Sequence, residues 1–286
     1  VNRTQEGPLA DFKLTDQDRY ELRIAALLHD CGKVTTPVHV VDKATKLQTI
    51  FDRIALIDTR FEVLKRDAEI ATLQAIVSGE PLDLAHARLQ ATLTKMGEDR
   101  AFLRQANIGG ERMSDEAIER VKTIAHGYRW KNVDGEEVSF LTDNEVENLS
   151  IRAGTLTQEE REIINHHIVA TIRMLEQLPW PKHLKNVPEY AGGHHERMDG
   201  KGYPKGLTRD QMSWQARMMG ISDIFEALTA KDRPYKEAMK LSQALSIMEN
   251  IRKIGHVDPD LLDVFVGEEV FREYAKGYLG EGQLDC

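Results

Sequence analysis

Apolar residues in this chain recur at helical spacing, and polar punctuation divides them into discrete segments. Residues 16 to 31 follow Thr15, a candidate N-cap, and set Tyr20, Ile24, Leu27, Leu28 and Cys31 on one stripe that ends near Gly32. From Leu47, steps of three and four link Leu47, Ile50, Ile54, Ile57, Phe61 and Leu64, and the phase continues into Ala68, Ala71 and Ala75. That spacing predicts a long helix with a coiled-coil seam. Gly79 and Pro81 break it, and Leu84, Leu89, Leu93, Met96 and Leu103 predict a returning helix, so the two form a helical hairpin.

Beyond the hairpin, a short helix is expected from about Asp115, and Asp134-Gly135 marks the tip of a turn or small β-hairpin. Helical pattern resumes at "TQEEREIINHHIVATIRMLEQL", where Thr157 and Glu160 fit a capping box, and stops at Pro179 and Pro181. Further helices are expected through "MSWQARMMGISDIFEALTA" and "LSQALSIMENIRK". The fold class that follows is all-α.

Composition narrows the setting. Two cysteines, Cys31 and Cys286, argue against a disulfide scaffold and for a reducing, cytoplasmic compartment. A net charge of −9 with no Lys/Arg block excludes duplex nucleic acid as a partner, so an anionic ligand must be held by a local cluster or by metal ions. No window approaches eighteen consecutive apolar residues, and "VNRTQEGPLADF" lacks the features of a signal peptide. Because residue 1 is Val, the chain is expected to be part of a longer one whose upstream region carries a sensor or an inner-membrane tether.

Four places hold histidine or aspartate in a context suited to a metal. They are His29-Asp30 at a helix end, His166-His167 within a helix, His194-His195 with Glu196 and Asp199, and Asp223 in an apolar helical stretch. Adjacent helical residues diverge by roughly 100°, so His194 and His195 converge on one ion only at a helix end or in a loop, which the surrounding glycines permit. Imidazole and carboxylate donors without thiolate suit Fe, Mn, Ni or Zn better than Ca or Mg. A carboxylate bridging two ions between histidines is the arrangement of a two-metal phosphoesterase.

"LLHDCGK", "EEREIINHHIVATIRML", "HHERMDGKGYPKGL" and "RMMGISDIFEALTAKDRPYK", in that order, resemble the HD-GYP subgroup of the HD-domain phosphohydrolases, which Gly202, Tyr203 and Pro204 name. The resemblance implies a helical domain that hydrolyses cyclic di-GMP at two or three iron or manganese ions. It implies that Asp30 bridges two metals, that His29 and Asp223 complete one ion's protein ligands, and that His167, His194 and His195 hold the other. It places Lys33 over the scissile phosphate and Arg233 and Lys236 on the substrate phosphates. His166 is read as a neighbour of the ligand His167, and Thr171 stands where the family usually has glycine.

Two departures accompany the resemblance. His29 and His167 are 138 residues apart where the family keeps them close, so residues 1–47 and 151–286 form the domain and 48–150 an insertion. The insertion is either a packing elaboration or a dimer contact or lid. Residues 1 to 28 also contain no histidine, so the upstream helix that the family uses for a further ligand is missing or replaced, and no third metal is expected. The implied reaction is attack of metal-activated water on a cyclic dinucleotide, giving linear pGpG and then GMP. The competing readings are a 3′,3′-cyclic GMP-AMP phosphodiesterase and a signalling adaptor that binds a diguanylate cyclase domain.

Overall fold

The computed structural model describes residues 1–110, 112–230 and 239–286. Its α-helices are α1 (Asp16–Leu28), α2 (Val38–Val41), α3 (Ile54–Val77), α4 (Leu82–Asn107), α5 (Asp115–Gly127), α6 (Asp143–Leu149), α7 (Gln158–Asn165), α8 (His167–Glu176), α9 (Val187–Gly192), α10 (Trp214–Thr229), α11 (Leu241–Lys253), α12 (Pro259–Gly267) and α13 (Val270–Tyr278). Two short antiparallel strands, β1 (Arg129–Lys131) and β2 (Glu137–Ser139), form a hairpin with Trp130 opposite Val138. The architecture is all-α, as the periodicity predicts. Among the described residues, no helix is long and apolar enough to cross a membrane.

The chain divides into two compact units. Residues 1–37 and 163–286 make the first, and Val38–Glu162 the second. In the second unit, α3 and α4 pair as the expected hairpin, and Ile57, Phe61, Leu103, Val121, Phe140 and Leu149 build its core. The predicted seam holds from Ile54 to Leu64, but the helix begins at Ile54: Leu47 is buried in the preceding loop, and Ile50 is 95% exposed. Farther along, Ala71 is exposed and Thr72 takes the buried position, because alanines are too small to fill the space between the helices there.

The first unit holds two apolar clusters. Ile221, Phe225, Leu241, Met248, Leu262 and Phe271 join α10 to α13, while Ala25, Leu175, Val187, Tyr190 and Met219 join α1, α8, α9 and α10. Here α1 corrects the sequence reading. Its capping box at Thr15 forms with Asp18, but Tyr20 and Leu27 are exposed, and the inward face is Glu21 and Ala25 flanked by Leu22, Ile24 and Leu28. Glu21 is buried because its carboxylate accepts from the backbone N–H and the side-chain amide of Asn186.

The long helix expected over residues 158–178 is two helices. The Thr157–Glu160 capping box is present, with Glu160 N at 3.2 Å from Thr157 Oγ1 and Thr157 N at 2.8 Å from Glu160 Oε2. The break falls at His166, where the Ile164 carbonyl, which a continuous helix offers to residue 168, accepts from His167 Nδ1 at 2.5 Å.

Candidate metal centre

Three of the candidate histidines are fixed by one local device. His29 follows the last residue of α1, His194 follows the end of α9, and His167 opens α8 after α7. Each uses Nδ1 on the carbonyl three residues back: Ala26 at 2.7 Å, Ile164 at 2.5 Å and Ala191 at 2.7 Å. Carbonyls at a helix C-terminus lack intrahelical partners. A carbonyl only accepts, so Nδ1 must carry the proton in all three rings, which leaves Nε2 as a lone-pair donor.

Those Nε2 atoms converge on Asp30. Its Oδ1 lies 3.2 Å from His167 Nε2 and 4.0 Å from His194 Nε2, and its Oδ2 lies 3.3 Å from His29 Nε2. Asp30, His167, His194 and His195 each offer a donor atom within 4.8 Å of the others. On the opposite side, His29 Nε2 is 3.6 Å from Asp223 Oδ1, from the middle of α10. Lys33 reaches Asp30 Oδ2 with its ammonium at 2.5 Å. His166 is exposed and outside the cluster. Arg233 and Lys236 lie outside the described residues.

The turn that carries Asp30 is pressed against α8. A Cβ on Gly32 would lie 2.0 Å from the His167 carbonyl oxygen, so only glycine allows this approach. The Thr171 hydroxyl, fully buried, accepts from Gly32 N–H at 2.9 Å and locks the turn in place. The Gly202-Tyr203-Pro204 run is held in a comparable way. Gly202 rests on the backbone of Glu196 and Arg197, where a Cβ would come within 2.4 Å of Arg197 N. Tyr203 then lays its ring on that of His195, with centroids 4.8 Å apart and planes at 19°.

Glu196 and Asp199, grouped by sequence with the histidine pair, do not join the cluster. Buried Glu196 accepts from Lys205 N–H and Leu207 N–H, both at 2.8 Å, and so closes the glycine-rich loop. Asp199 pairs with Arg197 at 2.8 Å. Thr171 was visible in the sequence only as a departure from the family pattern. Its signal is a polar residue on the inward face of an otherwise apolar helix.

Electrostatics sharpen the picture. Burial pushes the His195 imidazole down to about 3, helped by His194 and His167, and burial likewise lowers His194. The neighbouring Asp223 carboxylate raises His29 against the effect of burial. Burial alone would raise Asp30, but His167 and Lys33 outweigh it and hold the carboxyl well below the usual range. Tyr203 is pushed up to about 12 by burial, with Asp223 and Asp30 adding to it, so its hydroxyl is neutral.

A cation fits this donor set. Buried Asp30 Oδ1 and His194 Nε2 have no hydrogen-bond partner among the described residues. His167 Nε2 and His195 Nε2 face each other at 3.3 Å. Placing extra protons on these rings would crowd positive charges in a buried space where His194 and His195 already resist protonation. A divalent ion satisfies the same lone pairs at once.

Comparison with known proteins agrees with this arrangement. Residues 142–261 match the family model described as HD domain. Two Vibrio cholerae proteins named 3′3′-cGAMP-specific phosphodiesterase 3 and 1 are 39% and 35% identical over 98 and 143 residues, covering 34% and 47% of this chain and 20% and 32% of their own. A cyclic di-GMP phosphodiesterase of Pseudomonas aeruginosa is 36% identical over 115 residues, covering 40% of this chain and 27% of its own. The chain thus spans a third or less of the length of these curated relatives. His29 and Asp30 precede the stretch matched by the family model, and the fold brings them to its histidines. Residues 142–261 are thus similar to the HD domain.

Proposed function

We propose that the chain is the hydrolytic part of an HD-GYP phosphodiesterase acting on a cyclic dinucleotide, with cyclic di-GMP as substrate. The observation that carries the reading is the convergence of three Nε2 lone pairs on the Asp30 carboxylate, with Oδ1 left otherwise unpartnered. In this reading His29 and Asp223 would hold one ion, His167, His194 and His195 the other, and Asp30 would serve both. Iron or manganese suits the donors best, nickel or zinc next, and no third ion is expected. Two such ions supply Lewis acidity that activates water and neutralises phosphate charge.

The protein's own groups do the rest. Lys33, on the turn after Asp30, places a half-exposed ammonium where charge develops on the phosphate. Tyr203 holds the His195 ring by stacking and walls that side of the site from water. Arg233 and Lys236 follow α10 in sequence and are proposed to grip the substrate phosphates. The product is linear dinucleotide, then mononucleotide. The names of the two V. cholerae relatives support a second reading, in which 3′,3′-cyclic GMP-AMP is the substrate. An upstream sensor or tether fits the short span of the relatives that this chain covers. The exposed apolar face of Ile70, Leu73 and Val77 on α3 supports a contact between copies through the second unit.

The test is turnover by the manganese- or iron-loaded chain, with linear and mononucleotide products separated chromatographically. The two cyclic dinucleotides are compared by kcat/KM. Cleavage of cyclic di-GMP at the higher kcat/KM is expected, a preference for the mixed nucleotide favours the second reading, and metal-loaded protein that leaves both intact overturns the proposal.

A further inference from the structure

The segment Gly255–Asp260 carries none of the motifs that mark the metal centre, yet the glycine-rich loop is built on it. Asp199 N–H donates to the Gly255 carbonyl at 3.0 Å, and Met198 N–H to the His256 carbonyl at 3.4 Å. Gly255 has φ +70°, and a Cβ there would lie 3.1 Å from Asp199 Cβ. The two stretches of backbone therefore run against each other just ahead of Asp258.

Asp258 has no exposed side-chain surface and sits where three parts of the fold meet. Its Oδ1 caps α12 by accepting from Asp260 N–H at 3.0 Å and Leu261 N–H at 3.1 Å. Its Oδ2 accepts from Arg209 Nε at 2.8 Å and Arg217 Nη1 at 2.5 Å. Arg209 ends the glycine-rich loop and also pairs with Asp260. Arg217 lies on α10, six residues before Asp223, with its guanidinium 3.8 Å from the centroid of the Trp214 ring. Helix capping needs one carboxylate oxygen, and the other is given wholly to the two arginines.

We infer that Asp258 is a positioning residue for the hydrolytic site: through Arg209 it fixes the loop that carries Tyr203, and through Arg217 it fixes the rotation of α10 that presents Asp223. Two observations carry this. The carboxylate is fully buried with every donor around it satisfied, and its two arginine partners belong to the two elements that flank the metal cluster from α9 and α10. The inference rests on the proposed reaction for its catalytic consequence, while its structural content stands without it.

The test uses the whole chain with Asp258→Asn and, as a milder variant that keeps the charge, Arg217→Lys. Amide hydrogen exchange is followed by mass spectrometry, manganese binding by calorimetry, and turnover of cyclic di-GMP in parallel, all well below each variant's melting midpoint. Exchange in 202–209 and 217–223 is expected to accelerate along with that of 258–261. Manganese affinity is expected to weaken by roughly 10- to 100-fold, the range for residues that orient metal ligands, with kcat falling more than KM rises. Faster exchange confined to 258–261, with manganese affinity unchanged, reduces Asp258 to a helix cap and overturns the inference. If the unaltered chain binds no manganese or leaves cyclic dinucleotides intact, the functional reading fails and the exchange pattern alone decides the positioning role.

Discussion

The two units bury polar groups for opposite ends. In the second unit, buried charges find partners within the fold: Arg60 grips Glu145 through two oxygens at 2.7 and 3.0 Å, the Lys43 ammonium, with no exposed side-chain surface, meets Glu160 at 2.7 Å, and buried Lys46 donates to the Leu149 and Ile151 carbonyls. Asp99 accepts from Arg120 and Tyr128. The three histidines of that unit, His39, His86 and His126, are all exposed. In the first unit, four imidazoles gather around one carboxylate, and His167 Nε2 and His195 Nε2 lie 3.3 Å apart. Close polar packing that completes itself is architecture, whereas close polar packing that leaves atoms wanting a cation is a site.

The strongest way to break this contrast is at Asp30. Asp30→Asn is expected to lower manganese affinity and turnover by more than roughly 100-fold, beyond the effect of residues that only orient ligands. Its melting midpoint without metal should fall, because His167 and Lys33 favour the charged carboxylate that the change removes. Calorimetry with manganese and a thermal melt in chelator check both halves.

Arg60→Ala probes the other side. It strands the buried Glu145 carboxylate, and such a loss costs about 3–5 kcal/mol of stability. Manganese affinity per folded molecule should be unchanged. Denaturant melts and calorimetry together read this, and a parallel loss of metal binding would erase the distinction drawn between the units.

Acidity gives a smaller and more discriminating effect. His195 and His194 are lowered, so the stability they contribute is complete above the unfolded value of about 6.5 and declines as pH falls. His29 is raised, so its contribution is complete below that value and is lost as pH rises through its folded pKa. Two lowered imidazoles against one raised leave a net loss of stability for the metal-free chain between pH 7 and pH 5. Urea melts in chelator should show it, with His195→Asn flattening the slope and His29→Asn steepening it. Equal stability at the two pH values would contradict the burial ascribed to His195.

Much of this was legible in the chain. Helix type and the hairpin follow from apolar spacing, and α11 has the expected bounds at Leu241–Lys253, because such faces pack wherever they fall. The motif residues His29, Asp30, His167, His194, His195 and Asp223 come together, although no spacing rule could say so across 138 residues. What escaped were effects of tertiary partners. Glu21 turned inward because Asn186 awaited it, the helix at His166 broke because His167 took a carbonyl, and α12 lay unread behind its Asp258-Pro259 start. Periodicity records which faces are apolar, and it carries no record of a carboxylate whose partner is 165 residues away.

The Lys43–Glu160 pair has a consequence for the order in which the molecule forms. The two residues stand 117 positions apart and close the second unit at its base. Once that unit has folded, the chain that must be looped to bring His29 to His167 shrinks from 138 residues to roughly twenty, which lowers the entropy of closure by about 2 kcal/mol. A continuous stretch of polypeptide, complete before the histidines of α8 and beyond leave the ribosome, thus serves as a splint for the discontinuous one.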